Sequence, residues 1–168
     1  PTRTGQLLPE TNELVRELTE RVRSGNLRGV TEIELAENIP ASERALHFEL
    51  DRPVTPMGLV EVAKLPTLVG VGASFGTAGG RRTVTAGGTA CVLDTLVLQA
   101  GNREIEVQLQ HHAEAFFQGN RYLLSPLASR LVSLVPPGPV VDLYAGVGLV
   151  VDCRNIVPSG PSRTVVKA

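Results

Sequence analysis

Residues 140–148, VVDLYAGVG, set an acid, Asp142, near the end of an apolar run, with Gly146 and Gly148 just beyond it. Lacking a Cβ, glycine lets the backbone turn sharply and lets a ligand approach the main chain. Ligands of open parallel sheets bind at the carboxyl ends of the strands, where such a turn falls. The chemistry on offer is the cradling of a nucleotide-type cofactor. The spacing departs from the dinucleotide pattern G-x-G-x-x-G and lacks the Lys and Ser/Thr of a P-loop. Upstream, AFFQGNRYLLSPL adds two adjacent aromatic rings, Phe116 and Phe117, a side-chain amide at Gln118, and Asn120. Aromatic rings can stack a nucleobase and an amide can hydrogen-bond one. A core phenylalanine pair followed by a helix cap at Asn120 is the plainer reading of the same residues.

The elements that must carry these residues follow from periodicity. In residues 10–24, Leu14, Val15, Leu18 and Val22 share one stripe with charges opposite, which predicts an amphipathic helix stopped at Gly25. VTEIELAE and RALHFELD alternate with period two and predict paired, half-buried strands. TPMGLVEVAKL predicts a short helix from Thr55, and TLVGVGAS an apolar strand. RRTVTA, ACVLDTLVLQ and REIEVQLQ, separated by glycine-containing turns, predict an antiparallel meander. From Tyr122 to Leu134 the apolar spacing is helical, with Pro126 expected to kink or divide the helix, and VVDLY then opens a buried strand. These readings give an α/β chain: a mixed unit with antiparallel strands over residues 1–110, then residues 111–168.

Composition excludes several function classes. With 168 residues, 42% hydrophobic and 20% charged, the chain can bury a core and is not a disordered tail. Sixteen basic against seventeen acidic residues give a net charge of −1, so any nucleic-acid contact rests on a local patch. Two cysteines, Cys91 and Cys153, are too few for a disulfide framework or a four-cysteine metal or iron–sulfur site. No apolar run reaches membrane-spanning length and PTRTGQLLPE lacks a signal-peptide block, so a soluble, cytoplasmic protein without a metal is expected.

Taken together, FFQGNRYLLSPLASRLVSLVPPGPVVDLYAGVG (residues 116–148) resembles the RNA (uracil-5-)-methyltransferases, which use S-adenosyl-L-methionine to methylate C5 of uridine in tRNA or rRNA. The specific part of the match covers roughly residues 115–149. The resemblance implies that residues 1–110 form a central domain contacting RNA, and that residues 111–168 begin a Rossmann-like class I methyltransferase domain. It implies that Gln118, Asp142, Tyr144, Gly146 and Gly148 hold the cofactor, and that Phe116, Phe117 and Gln118 meet the RNA base. It also implies a cysteine nucleophile far downstream in a Ser-Cys-Asn-Pro-like segment. Cys153, in VDCRN, lacks that setting and is not assigned the role; nucleophile and general base stay unassigned. After GVGL the family continues with a helix and further strands that VVDCRNIVPSGPSRTVVKA is too short to supply, so a fragment of a longer enzyme is expected. A non-catalytic RNA-binding or scaffold piece is the alternative from another class.

Other patterns carry less. GASFG fits the G-x-S-x-G nucleophile elbow and would make Ser74 a hydrolase nucleophile, but the glycine-rich stretch after it is a poor helix former. His111, His112 and Glu114 invite a metal, yet adjacent strand residues face opposite ways. His47, within an alternating strand, reads as structural. Arg81 and Arg82 are placed on a turn where they could meet phosphate.

Overall fold

In the computed structural model, the structure describes residues 7–53, 57–100, 102–115, 117, 120–134, 140–142 and 165–167. Pro9 starts helix α1 (Pro9–Arg23), where its missing N–H costs nothing and its fixed φ suits the first turn. Gly25, at φ +79°, ends it, as Gly25 was expected to. Strands β1 (Val30–Glu37) and β2 (Arg44–Leu50) pair antiparallel, as their alternation predicts. Helix α2 (Met57–Val62) then carries the chain to β3 (Leu68–Thr77), parallel to β2, and a hairpin returns it as β4 (Gly80–Gly88). The sheet order is β1-β2-β3-β4.

Period-two alternation builds the core. Ile33, Phe48, Ala73 and Val84 are register partners across all four strands. Leu14 and Leu18 of α1 and Leu59 and Val62 of α2 join Leu46, Phe48, Leu50, Val71, Ala73 and Phe75 in one buried cluster. The expectation of a half-buried β2 is corrected. Ala45 and His47, on the face opposite Leu46, Phe48 and Leu50, are also fully buried.

A buried charge ties these elements together. Arg44, 2% exposed, donates from Nε to Glu37 Oε2 at 2.8 Å and to Thr11 Oγ1 at 3.1 Å. Its Nη1 donates to Thr67 Oγ1 at 2.7 Å, and its backbone N–H to Thr67 O at 2.8 Å. Thr11 Oγ1 also donates to Glu37 Oε2. One guanidinium thus holds α1, β1, β2 and the segment before β3.

The expected meander breaks after β4. Strands β5 (Cys91–Ala100) and β6 (Arg103–His112) pair with each other in a separate sheet. The cause is local. At the end of β4 the chain presses against the start of β3: a Cβ on Gly70 would lie 1.7 Å from Thr89 O, and Gly88 has φ +57°. Only glycine permits that crossing, which turns the chain out of the first sheet. The contacts form two compact units, Pro1–Val92 and Leu93–Ala168, so most of β5 and all of β6 go with the second, where the sequence put the boundary near residue 110. The second unit also holds α3 (Leu124–Leu134) and the parallel pair β7 (Val140–Asp142) and β8 (Val165–Lys167).

Two stability predictions follow from the first unit. Glu37→Ala leaves a buried guanidinium without its counter-charge and should cost about 3–5 kcal/mol in urea unfolding. The double change Glu37→Leu with Arg44→Met should cost less, because no charge is then stranded. Gly70→Ala should lose at least about 1–3 kcal/mol, since backbone cannot yield to the new methyl. Gly76→Ala, whose Cβ would meet nothing within 4 Å, is the matched control and should be near neutral.

Candidate functional site

In the second unit, β5 and β6 each set an apolar row on one face. Leu96 and Leu98 of β5 and Val107 and Leu109 of β6 are buried, while their sequence neighbours are exposed or half-buried. Two residues on those rows are polar: Asp94, fully buried, and His111, 4% exposed. They find each other, with His111 Nε2 3.0 Å from Asp94 Oδ2. An ionised carboxylate only accepts, so Nε2 carries the proton and donates it. His112 faces the other way, 3.5 Å from Glu114 Oε2 through Nδ1, which also accepts the Glu114 backbone N–H.

Beyond β6 a turn closes with the Ala115 N–H donating to His112 O at 2.9 Å. Phe117, half-buried, lays its ring on the His111 imidazole, with centroids 4.1 Å apart and planes at 14°. Asn120 follows. Its Oδ1 accepts the Tyr122 N–H at 3.2 Å, and its carbonyl accepts the Leu123 N–H at 3.1 Å, closing the turn that feeds α3. Asn120 therefore caps the entry to the helix, one turn earlier than a cap on α3 itself. The kink expected at Pro126 does not occur. Pro126 lies in the first turn of α3, where its lost N–H had no helical partner to lose. Ser129 Oγ on α3 accepts the Gln99 N–H of β5 at 3.0 Å and ties helix to strand.

Of the residues assigned from sequence, Phe117 is placed as above and Asp142 ends β7, in register with Lys167 of the parallel strand β8. Phe116, Gln118, Tyr144, Gly146, Gly148 and Cys153 lie outside the described residues. The His111–Asp94 pair escaped the sequence reading, which weighed His111 only as a metal ligand. The signal was present, since both residues interrupt apolar rows that alternation alone would fill with aliphatic side chains.

The minor patterns resolve differently. Ser74 sits mid-strand in β3, not on a strand-to-helix elbow. It is fully buried, 3.0 Å from His47 Nε2 and 2.8 Å from Thr83 Oγ1. Such a hydroxyl joins neighbouring strands and presents nothing to a substrate. Arg81 and Arg82 belong to β4 rather than to a turn, and Arg81 is paired with Glu49. In the first unit a groove of about 830 Å3 runs along α1, with Glu10, Glu13, Glu17 and Glu20 on one wall and Arg44 among its lining. It contains none of the residues assigned from sequence. Among the described residues, no helix is long and apolar enough to cross a membrane.

No protein-family model matches the chain, and no curated protein matches it. The fold is similar to that of a solved structure, the Pyrococcus abyssi tRNA (uracil-54, C5)-methyltransferase in complex with S-adenosyl-L-homocysteine. The TM-score is 0.54 at 18% identity, over 86% of this chain and 36% of that one. This chain thus spans about a third of that protein's length, and at this identity the likeness concerns the fold: a mixed α/β chain of sheets and few helices, arranged as in a methyltransferase structure.

Proposed function

We propose that the chain is part of an S-adenosyl-L-methionine-dependent RNA (uracil-5-)-methyltransferase acting on tRNA or rRNA. The observation that carries the reading is the end of β7. This strand pairs in parallel and ends at Asp142, with the sequence LYAGVG following, and open parallel sheets receive their ligands at the carboxyl ends of such strands. The likeness in fold to a tRNA methyltransferase holding S-adenosyl-L-homocysteine supports the same reading.

The residues present suit that cofactor. By residue type, glycine at 146 and 148 puts no Cβ in the way of a carboxylate approaching the main chain, Asp142 ends β7, and Tyr144 and Gln118 carry polar groups. When bound, the cofactor supplies an electrophilic methyl group on a sulfonium. Uracil C5 is a poor nucleophile, so the complete enzyme needs a thiolate to add at C6 and a base to take the C5 proton. Neither role is assigned to Cys91 or Cys153. The part of this chain is to bind and orient: Phe116 and Phe117 stack the base, and Gln118 bonds it beside the cofactor. In this reading residues 111–168 open a Rossmann-like methyltransferase domain, and residues 1–110 form the central unit that contacts RNA.

The chain's span of 36% of its structural neighbour favours one second reading, a non-catalytic RNA-binding piece of such an enzyme. Equilibrium dialysis separates the two. On the methyltransferase reading, the chain retains labelled S-adenosyl-L-methionine, and Gly148→Val weakens retention about tenfold or more, equivalent to about 1.4 kcal/mol. Retention of RNA in a salt-sensitive manner without any cofactor binding would leave only the RNA-binding reading.

A further inference from the structure

We propose that His111, locked by Asp94, is a positioning residue that holds Phe117 as a stacking platform for an unpaired pyrimidine base. The inference rests on the reading of the site above and goes beyond it, since neither His111 nor Asp94 belongs to the assigned cofactor or base contacts.

Phe117 itself belongs to no helix or strand, so its ring depends on its side-chain contacts for support. A ring free to rotate must be ordered when a base arrives, and that loss weakens binding. Here the ordering is done in advance. One face of Phe117 is covered by the imidazole at 4.1 Å and 14°, a parallel stack, and the residue as a whole stays half-buried. The imidazole could turn about its own broad χ2, but its Nε2–H bond to the fully buried Asp94 sets the plane. The chain of constraint runs from the β5–β6 sheet through Asp94 and His111 to the ring.

The choice of residues speaks for function over packing. An aliphatic side chain at each position would complete the apolar rows. Instead the protein buries a carboxylate and an imidazole, and His111 Nδ1 is buried with no hydrogen-bond partner among the described residues. A buried acceptor left without a partner is destabilising, a sacrifice that packing alone does not explain. What the pair provides is a flat, directional support that a leucine cannot give.

A double-mutant cycle on the full chain tests the idea. The probes are a fluorescein-labelled oligouridylate and an abasic oligomer of equal length, with binding read by anisotropy. Phe117→Ala should weaken oligouridylate binding about tenfold, in the range of one lost base stack. His111→Gln keeps a donor for Asp94 and removes the ring; it should weaken the same binding about three- to tenfold and leave the abasic oligomer unaffected. In the Phe117→Ala background, His111→Gln should have no further effect, because it acts only through that ring. Should His111→Gln fold poorly by circular dichroism, Asp94→Asn takes its place and should show a smaller loss that also vanishes in the Phe117→Ala background. Losses that persist in that background, or that fall equally on both oligomers, overturn the positioning role. So does full binding by His111→Gln while Phe117→Ala is weak, which leaves the site reading intact. Failure of the unaltered chain to prefer the uridylate overturns both.

Discussion

The Arg44 guanidinium is the charge around which the first unit is arranged. Three side-chain oxygens converge on it, from α1, β1 and the segment entering β3, while its own backbone sits at the head of β2. A cation taken out of water tolerates few alternative partners, because a slip of α1 or of the β3 entry would strip a hydrogen-bond acceptor from it and a slip of β1 its counter-charge. The apolar cluster beneath supplies most of the driving force and fixes which face of each strand points inward, yet a slip of two residues would preserve that alternation. The ion pair is what makes one arrangement of helix, hairpin and crossover better than its neighbours. Thr67 reflects the same constraint. It is β-branched and sits at φ +67°, held there by Arg44 from both its side chain and its backbone N–H.

The second unit repeats the theme with a different pair. Asp94 and His111 place charge and polarity on faces that alternation assigns to aliphatic residues, and they too link separate segments: two strands and the chain that leaves them. In each unit a buried polar contact marks the point where the strands hand over to the segment that follows. In the second unit that segment carries Phe117 and then α3. The hydrogen bond from the Gln99 N–H to Ser129 Oγ ties α3 to the β5–β6 sheet.

Strand alternation and helix periodicity fixed much in advance, because these periods are short-range properties of the chain. Helix α1, the β1–β2 pairing and the strand character of β3 to β6 were all legible. Local chemistry also sufficed for Asn120 as a cap. It did not suffice for Pro126, whose effect depends on which residue begins the helix, and that is set by the turn Asn120 closes.

Pairing was decided by tertiary structure. Nothing in the alternation of RRTVTA and ACVLDTLVLQ says whether they are neighbours, and the close approach of Gly70 to Thr89 that separates them involves residues far apart in sequence. The same holds for burial of β2 on both faces, for the partners of Arg44, and for the stack of Phe117 on His111. Sequence named the residue types able to cradle a cofactor and stack a base, since those abilities reside in single side chains and short turns. Which polar residues face each other across strands, and so which ring is held still, depended on register and long-range contact, and a linear pattern does not encode either.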